Sequence, residues 1–522
     1  MQGTIDHSAI ANINHNVPSS INSKISKFVD FIWPIYRHEL PKFLFITLLM
    51  FCILGIQNLI RATKDSIVNT MIGVETISFL KFWGVLPSAF LVTIIYVKLV
   101  SVMKGENIFY MIMSIFLGFF FLFAFYLFPN HEMFHLSKET ANHLVQQYPN
   151  LKWFILLLSN WSFSLFYIIA ELWPNAVFAL LFWQFVNKIT SVEESKRFYV
   201  LFGLLGQTGL YLTGTFLENL QVINDYFAKL FNIQNYTSEL SIQIIISVVT
   251  ILGFIGLFAF WMLNHKILDI ATAENLQFKV KKNQLTLKES FHMIIHSRYI
   301  RLIAILLVCY GIAINLVEGP WKAEAAKIYT TPTEYGAFVG SYLSYTGILT
   351  IFFVLLGSNV VRLLGWMSAA IITPLMVLVT GLAFFAVANF DYVATFMMLS
   401  FAFTDPVMLA IVIGAIQNVL SKSSKYTLFD STKEMSYVPL DEQLKTRGKA
   451  AADMIGTKLG KSASALLQSM IFVVFPAATY SSISTYLMFV FSIVCVIWIW
   501  AVVELNKEYK KECVAVGHES YF

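Results

Sequence analysis

Charge is what this chain has least of. Only 13% of its 522 residues are Asp, Glu, Lys or Arg, against 57% hydrophobic, where a soluble domain carries about a quarter charged residues. That balance excludes a globule held in solution by its surface. Cysteine is as scarce: Cys52, Cys309 and Cys495 fall inside apolar runs and Cys513 in the C-terminal tail, so no disulfide framework is implied. The N-terminal stretch is polar and rich in Asn and Ser. It lacks the short apolar core and small-residue site of a cleaved leader, and no signal peptide is expected.

Apolar runs fill the remainder. A helix rises about 1.5 Å per residue, so roughly 18 or more apolar residues are needed to cross about 30 Å of hydrocarbon. Twelve such runs are legible: 43–61, 78–98, 108–128, 153–187, 198–217, 242–263, 301–319, 336–357, 364–388, 392–419, 449–475 and 482–503. The expected fold is an all-α membrane protein with twelve transmembrane helices embedded in a lipid bilayer.

In such a chain a net charge of +5 reports topology before it reports an anionic partner, and no nucleic-acid partner is implied. Placing both termini in the cytoplasm puts most of the 36 Lys and Arg residues on that side, as the positive-inside rule requires. The longest cytoplasmic connection carries Lys279, Lys281 and Lys282 and divides the chain near its middle. The expected organisation is a tail over 1–41, a six-helix half over 42–264, a linker over 265–299, a second half over 300–504, and a tail over 505–522. Cys-Ile-Leu-Gly-Ile-Gln-Asn-Leu-Ile-Arg from Cys52 echoes Cys-Tyr-Gly-Ile-Ala-Ile-Asn-Leu-Val-Glu from Cys309. Two halves of the same orientation are the parallel-repeat plan of major-facilitator-type carriers, with a substrate site between them near the midplane.

Charged groups inside the runs are the candidate site, because each costs about 2.5 to 3.5 kcal/mol at the bilayer centre unless it faces protein or water. The first run carries Asn58, Arg61 and Asp65 on one face, with Lys64 beside them. The seventh repeats the spacing with Asn315, Glu318 and Lys322. The simpler reading of these charges is snorkelling at helix ends. Glu171 sits mid-run with Asn175, Phe178 and Phe182 following it, as either a transport residue or half of an interhelical ion pair. In the eleventh run Lys449, Asp453, Gly456 and Gly460 share a side, with Lys461 nearby; small residues so spaced also serve helix packing. Arg61, Lys64, Lys449 and Lys461 around a cavity closed by Glu171 and Glu318 suit a polyanion such as a di- or triphosphate. Asp65, Lys322 and Asp453 are gate or salt-bridge candidates.

Two motifs are set aside. His131-Glu132-Met133-Phe134-His135 has zincin spacing but follows Pro129-Asn130 at the end of a run, with no third ligand evident. Gly456-Thr-Lys-Leu-Gly-Lys-Ser is one residue short of a Walker A loop and has no preceding strand. With no ATP-hydrolysis signature and no catalytic His or Cys cluster, neither a pump nor an enzyme is expected.

The ordered series Ile-Trp-Pro from Ile32, Leu-Ile-Arg-Ala-Thr-Lys-Asp from Leu59, Ala-Glu-Leu-Trp-Pro from Ala170, Phe-Trp-Gln-Phe-Val-Asn from Phe182, Asn-Leu-Val-Glu-Gly-Pro-Trp-Lys from Asn315, Lys-Tyr-Thr-Leu-Phe-Asp from Lys425 and Leu-Gly-Lys-Ser from Leu459 resembles the nucleotide translocases, or ATP/ADP carriers, of plastids and obligate intracellular bacteria, above all the rickettsial members. The resemblance implies a cofactor-free carrier in the bacterial inner membrane, working as a monomer and exchanging nucleoside tri- and diphosphates. It places transport charges on Lys64, Glu171, Glu318 and either Lys449 or Lys461. Where ATP/ADP exchangers of the family read Glu-Leu-Trp-Gly, this chain reads Glu-Leu-Trp-Pro-Asn from Glu171. Pro174 there favours a paralogue of different base selectivity, for ribonucleotides such as CTP, UTP, GTP or GDP. The alternatives are a proton-coupled net nucleotide importer and a major-facilitator importer of another organic phosphate.

Overall fold

The computed structural model describes residues 35–233, 237–268, 287–401, 403–441 and 444–515. The Ile32 motif and the linker lysines Lys279, Lys281 and Lys282 lie outside the described residues. Among the described residues, eleven helices are long and apolar enough to cross a membrane: α1 (Leu40–Met71), α2 (Thr76–Val102), α3 (Gly105–Leu127), α4 (Trp161–Ile189), α5 (Glu193–Glu218), α6 (Ser238–Ile267), α7 (Arg298–Ile328), α8 (Pro332–Val354), α9 (Gly365–Asn389), α10 (Pro406–Ser436) and, after α11, α12 (Tyr480–Val514). Helix α11 spans Lys449–Val474, but its apolar part is only Leu459–Val474, because its first turns carry charge. Against the twelve expected runs, eleven helices among the described residues have the full character of a span.

Local chemistry sets the boundaries. Ser191 with Glu194, and Thr331 with Glu334, form capping boxes at the starts of α5 and α8, satisfying amides that a helix N-terminus leaves unpaired. Helix α10 does not follow the expected run 392–419. Asp391–Phe401 is a separate helix, and the Asp405 carboxylate caps the Val407 amide at 2.9 Å. Pro406 takes the first helical position, where its missing N–H is harmless. The helix then continues to Ser436, well past the expected end. The expected run 153–187 is likewise interrupted at Asn160, between Lys152–Ser159 and α4. Gly365, at φ 77°, provides the left-handed residue at which the chain breaks between α8 and α9.

Glycines bring the two halves together. A Cβ on Gly214 of α5 would stand 2.4 Å from the Ser344 amide nitrogen of α8, and one on Gly340 would stand 2.6 Å from that of Glu218, so the backbones meet as only small residues allow. Contacts joining the halves cluster at the end of the bundle where α1 and α7 finish: Ser241 with Thr333 at 2.6 Å, the Tyr480 amide donating to Glu75 at 3.2 Å, and Lys322 with Asp65 at 2.9 Å. Large apolar side chains such as Phe254, Phe258, Phe489 and Ile493 are exposed on the outer faces, which matches hydrocarbon surroundings.

Candidate functional site

Where the halves join, buried and half-buried charges form a chain. Lys64 donates to Asp65 at 2.6 Å and to Glu171 of α4 at 2.8 Å, and its ammonium lies 3.9 Å from the Tyr167 ring centroid. Asp65 also accepts from Lys322 at 2.9 Å, Lys322 reaches Glu318 at 3.2 Å, and Glu318 faces Lys81 of α2 at 3.4 Å. Lys81 donates to the Asn315 side-chain oxygen at 2.7 Å. The network holds three lysines and three carboxylates, so it is neutral. Asp65 and Lys322 stand 257 residues apart, the separation of the Cys52 and Cys309 words. Repeat-related positions touch only on the pseudo-twofold axis between the halves, and this pair sits there.

Behind the network lies a second group of charges, of different character. Arg61 of α1 and Lys461 of α11 are exposed although each lies well inside its helix, and Lys422 of α10 is half-buried. Among the described residues these three cations make no ion pair. Arg61 stands in Coulombic reach of Glu171, Glu318, Tyr342 and Tyr426, and Lys461 in reach of Arg61, Glu171, Lys81 and Glu318. The Lys422 ammonium rests 4.8 Å from the Tyr342 ring centroid and in reach of Arg61. The network where the halves meet is thus neutral, whereas Arg61, Lys422 and Lys461 are positive charges without an ion pair among the described residues.

Three of the chain's π-helical segments lie near these charges. Helix α2 is π-helical over Leu80–Val85, α4 over Pro174–Phe182 and α10 over Lys425–Phe429; π turns are rare and recur at functional sites. They carry Lys81, follow Glu171, and adjoin Lys422. Pro174 opens the π segment of α4. An open groove of about 1120 Å³ lies apart from these charges, between α8 and α10; Tyr342 lines it as well.

The TLC ATP/ADP transporter family model matches residues 18–509. The chain belongs to the TLC ATP/ADP transporter family. It is 67% identical over 510 residues to ADP,ATP carrier protein 4 of Rickettsia bellii, covering 98% of each chain, and 69% identical over 495 residues to the protein of the same name from Rickettsia felis, covering 95% of this chain and 97% of that one. ADP,ATP carrier protein 3 of Rickettsia typhi is 44% identical over 497 residues, covering 93% of this chain and 98% of that one. Among solved structures, a bacterial homologue of the iron transporter ferroportin in an inward-facing state superposes at a TM-score of 0.54 with 13% identity, covering 90% and 99% of the chains. The nucleoside transporter NupG does so at 0.54 with 10% identity, covering 90% and 100%. At such identity they establish the fold alone; it is the family match that makes this chain a multi-pass membrane transporter and not an enzyme.

The other residues singled out in this TLC family chain fall in three places. Asn315 is buried and holds Lys81; Asn58 is half-buried one turn before Arg61; Asn175 is exposed one turn beyond Glu171. Lys449 pairs with Glu434, and Asp453 with Lys433 at 3.1 Å, where α10 meets the start of α11. They are away from the central charges. Gly456 packs on Leu307, and Gly460 on Val308 and Gly311, which makes that stripe a close crossing of α11 on α7. Lys81 and Lys422 escaped sequence reading. The first is a single lysine near the start of its run, where snorkelling suffices. The second lies beyond the expected end of the tenth run and is recovered only because α10 continues.

Proposed function

We propose that this protein exchanges nucleoside tri- and diphosphates across a bacterial inner membrane, with both termini in the cytoplasm and the monomer as the working unit. One observation carries this: three cations, Arg61, Lys422 and Lys461, face the central cavity without a carboxylate partner, while Lys64, Lys81 and Lys322 are neutralised by Asp65, Glu171 and Glu318. A chain of phosphates supplies the missing negative charge, and charge-assisted hydrogen bonds to it are strong. The relatives named as ADP,ATP carriers agree with such a substrate. Lys64, Glu171, Glu318, Asp65 and Lys322 then form the outer gate, and Lys449, Glu434, Lys433 and Asp453 lie at the cytoplasmic rim.

The same charges favour exchange. Closing both ends around an empty cavity buries three unpaired cations, at about 2.5 to 3.5 kcal/mol each, or about 7.5 to 10.5 kcal/mol together. A bound polyanion removes most of that barrier, so the loaded carrier turns over and the empty one stalls.

The test is uptake of labelled nucleotide by cells making the protein. Unlabelled NTP or NDP competes, ribose phosphate does not, uptake requires internal nucleotide, and Lys461→Ala or Lys422→Ala lowers it by at least tenfold. Equal competition by ribose phosphate points instead to a general organic-phosphate importer. Uptake into nucleotide-free vesicles that collapses with an uncoupler points to proton-coupled net import.

A further inference from the structure

Beyond the phosphate-binding cations, α10 presents an aromatic slot that the transport charges do not explain. Tyr426 is 44% exposed although it lies inside a membrane-spanning helix, and it stands in Coulombic reach of Arg61 in the opposite half. It therefore lies on the side of α10 toward the opposite half. Across from it is Tyr310 of α7, held by stacking on Phe429 at 5.2 Å and by edge contact with Trp498 at 5.7 Å. The Lys425 ammonium lies over both rings, 4.8 Å from the Tyr426 centroid and 5.8 Å from that of Tyr310, and pairs with Asp430 at 2.7 Å. Two rings that share one cation offer π faces that the chain's own lysine occupies.

We propose that this slot, Tyr426 and Tyr310 with the Lys425–Asp430 pair at its edge, takes the nucleobase of the transported nucleotide. This rests on the nucleotide reading above. Asp430 makes the slot a poor place for phosphate. The unpaired Lys422 lies one helical turn before Tyr426, so phosphate and base sites follow each other along α10. From Lys422 to Asp430 the helix rises roughly 12 Å, room for a nucleotide lying along it. Stacking accepts any base, because every base has a π face. Discrimination falls to the edge pair: a carboxylate accepts from amino groups, and an ammonium donates to ring carbonyls and nitrogens. On binding, Lys425 leaves the ring faces and turns to the base edge with Asp430.

The experiment measures binding of the four NTPs and of inorganic tripolyphosphate to the purified full-length protein in lipid nanodiscs. Tyr426→Leu is expected to weaken all four NTPs about 10- to 100-fold while leaving tripolyphosphate within twofold. Tyr426→Phe retains wild-type affinities, and Asp430→Asn reorders the four NTPs. Retained tripolyphosphate binding shows that each variant is folded. The proposal is overturned if Tyr426→Leu leaves the NTPs unchanged, or if it weakens tripolyphosphate and NTPs alike. Absence of any NTP binding to the wild-type protein sinks the nucleotide reading itself, a separate result.

Discussion

Removing the bond on the pseudo-twofold axis unlocks the closed end of the carrier by an amount the geometry sets. In Asp65→Asn the ion pair to Lys322 at 2.9 Å is lost, yet Lys64 keeps Glu171 at 2.8 Å and Lys322 keeps Glu318 at 3.2 Å. No lysine is stranded, so the 3 to 5 kcal/mol expected for an uncompensated buried charge does not apply. The bond from Lys64 to Asp65 lies within α1 and does not hold the halves together, so what is lost between the halves is one hydrogen bond between charged groups, worth about 1.5 to 3 kcal/mol. At about 1.4 kcal/mol per factor of ten, the closed state loses about 10- to 150-fold in population. Ser78→Cys reports this opening, because Ser78 is buried at the closed end beside Tyr480 and Gln468. The native Cys52, Cys309, Cys495 and Cys513 are buried and contribute little background. Labelling of the introduced thiol by an impermeant maleimide accelerates by that factor in Asp65→Asn and similarly in Lys322→Gln. The single variants leave the network with a net charge of +1 or −1, whereas the double variant is neutral and keeps an amide–amide hydrogen bond. Its labelling therefore falls below the product of the two single effects. Strict additivity, or unchanged labelling in Asp65→Asn, refutes the assignment of this pair as the latch.

Two further outcomes follow. Lys449→Ala removes an exposed pair with Glu434, worth about 0 to 1 kcal/mol; nucleotide uptake stays within about threefold of wild type, whereas Lys461→Ala abolishes it, and the reverse ranking moves the phosphate contact to Lys449. Between α3 and α4, burial together with the neighbouring His131 holds His135 down to about 4, while its Nε2 lies 2.7 Å from Ser162 Oγ. A histidine depressed from about 6.5 contributes stability that is present above pH 6.5 and lost as pH falls toward 4. Hydrogen exchange at the Leu136 amide, bonded to Ser159, accelerates beyond its intrinsic rate over that window in wild type and loses this dependence in His135→Gln.

The helical class and the carrier family were legible because lipid imposes length and apolarity on every crossing segment and because the motif series runs through the whole chain. The charges in the first and seventh runs were legible for the same reason: Arg61 and Glu318 have no place in hydrocarbon. Pairing was not legible. Whether Lys64 meets phosphate or Glu171 depends on where α4 lies beside α1, and Lys81 enters only because its side chain reaches across to Asn315 and Glu318 of α7. The extent of α10 was hidden by a local feature. Asp405-Pro406 starts a new helix where apolarity alone continues the old one, and moving that start brings Lys422 and Tyr426 into the membrane interior.

The repeat explains why opposite charges occupy matching positions. Arg61 and Glu318 correspond, as do Asp65 and Lys322, at the 257-residue separation. Two related helices that approach a common axis bring their equivalent residues face to face, and like charges there repel in a medium that screens them poorly. An exact duplicate of the helix would hold two aspartates, or two arginines, across the axis. Inverting the sign in one half turns the repulsion into a latch, Asp65 with Lys322 at 2.9 Å, and leaves Arg61 in reach of Glu318 without an ion pair. The asymmetry that closes one end thus also frees one guanidinium for the cavity, so gate and binding site are two consequences of a single departure from symmetry.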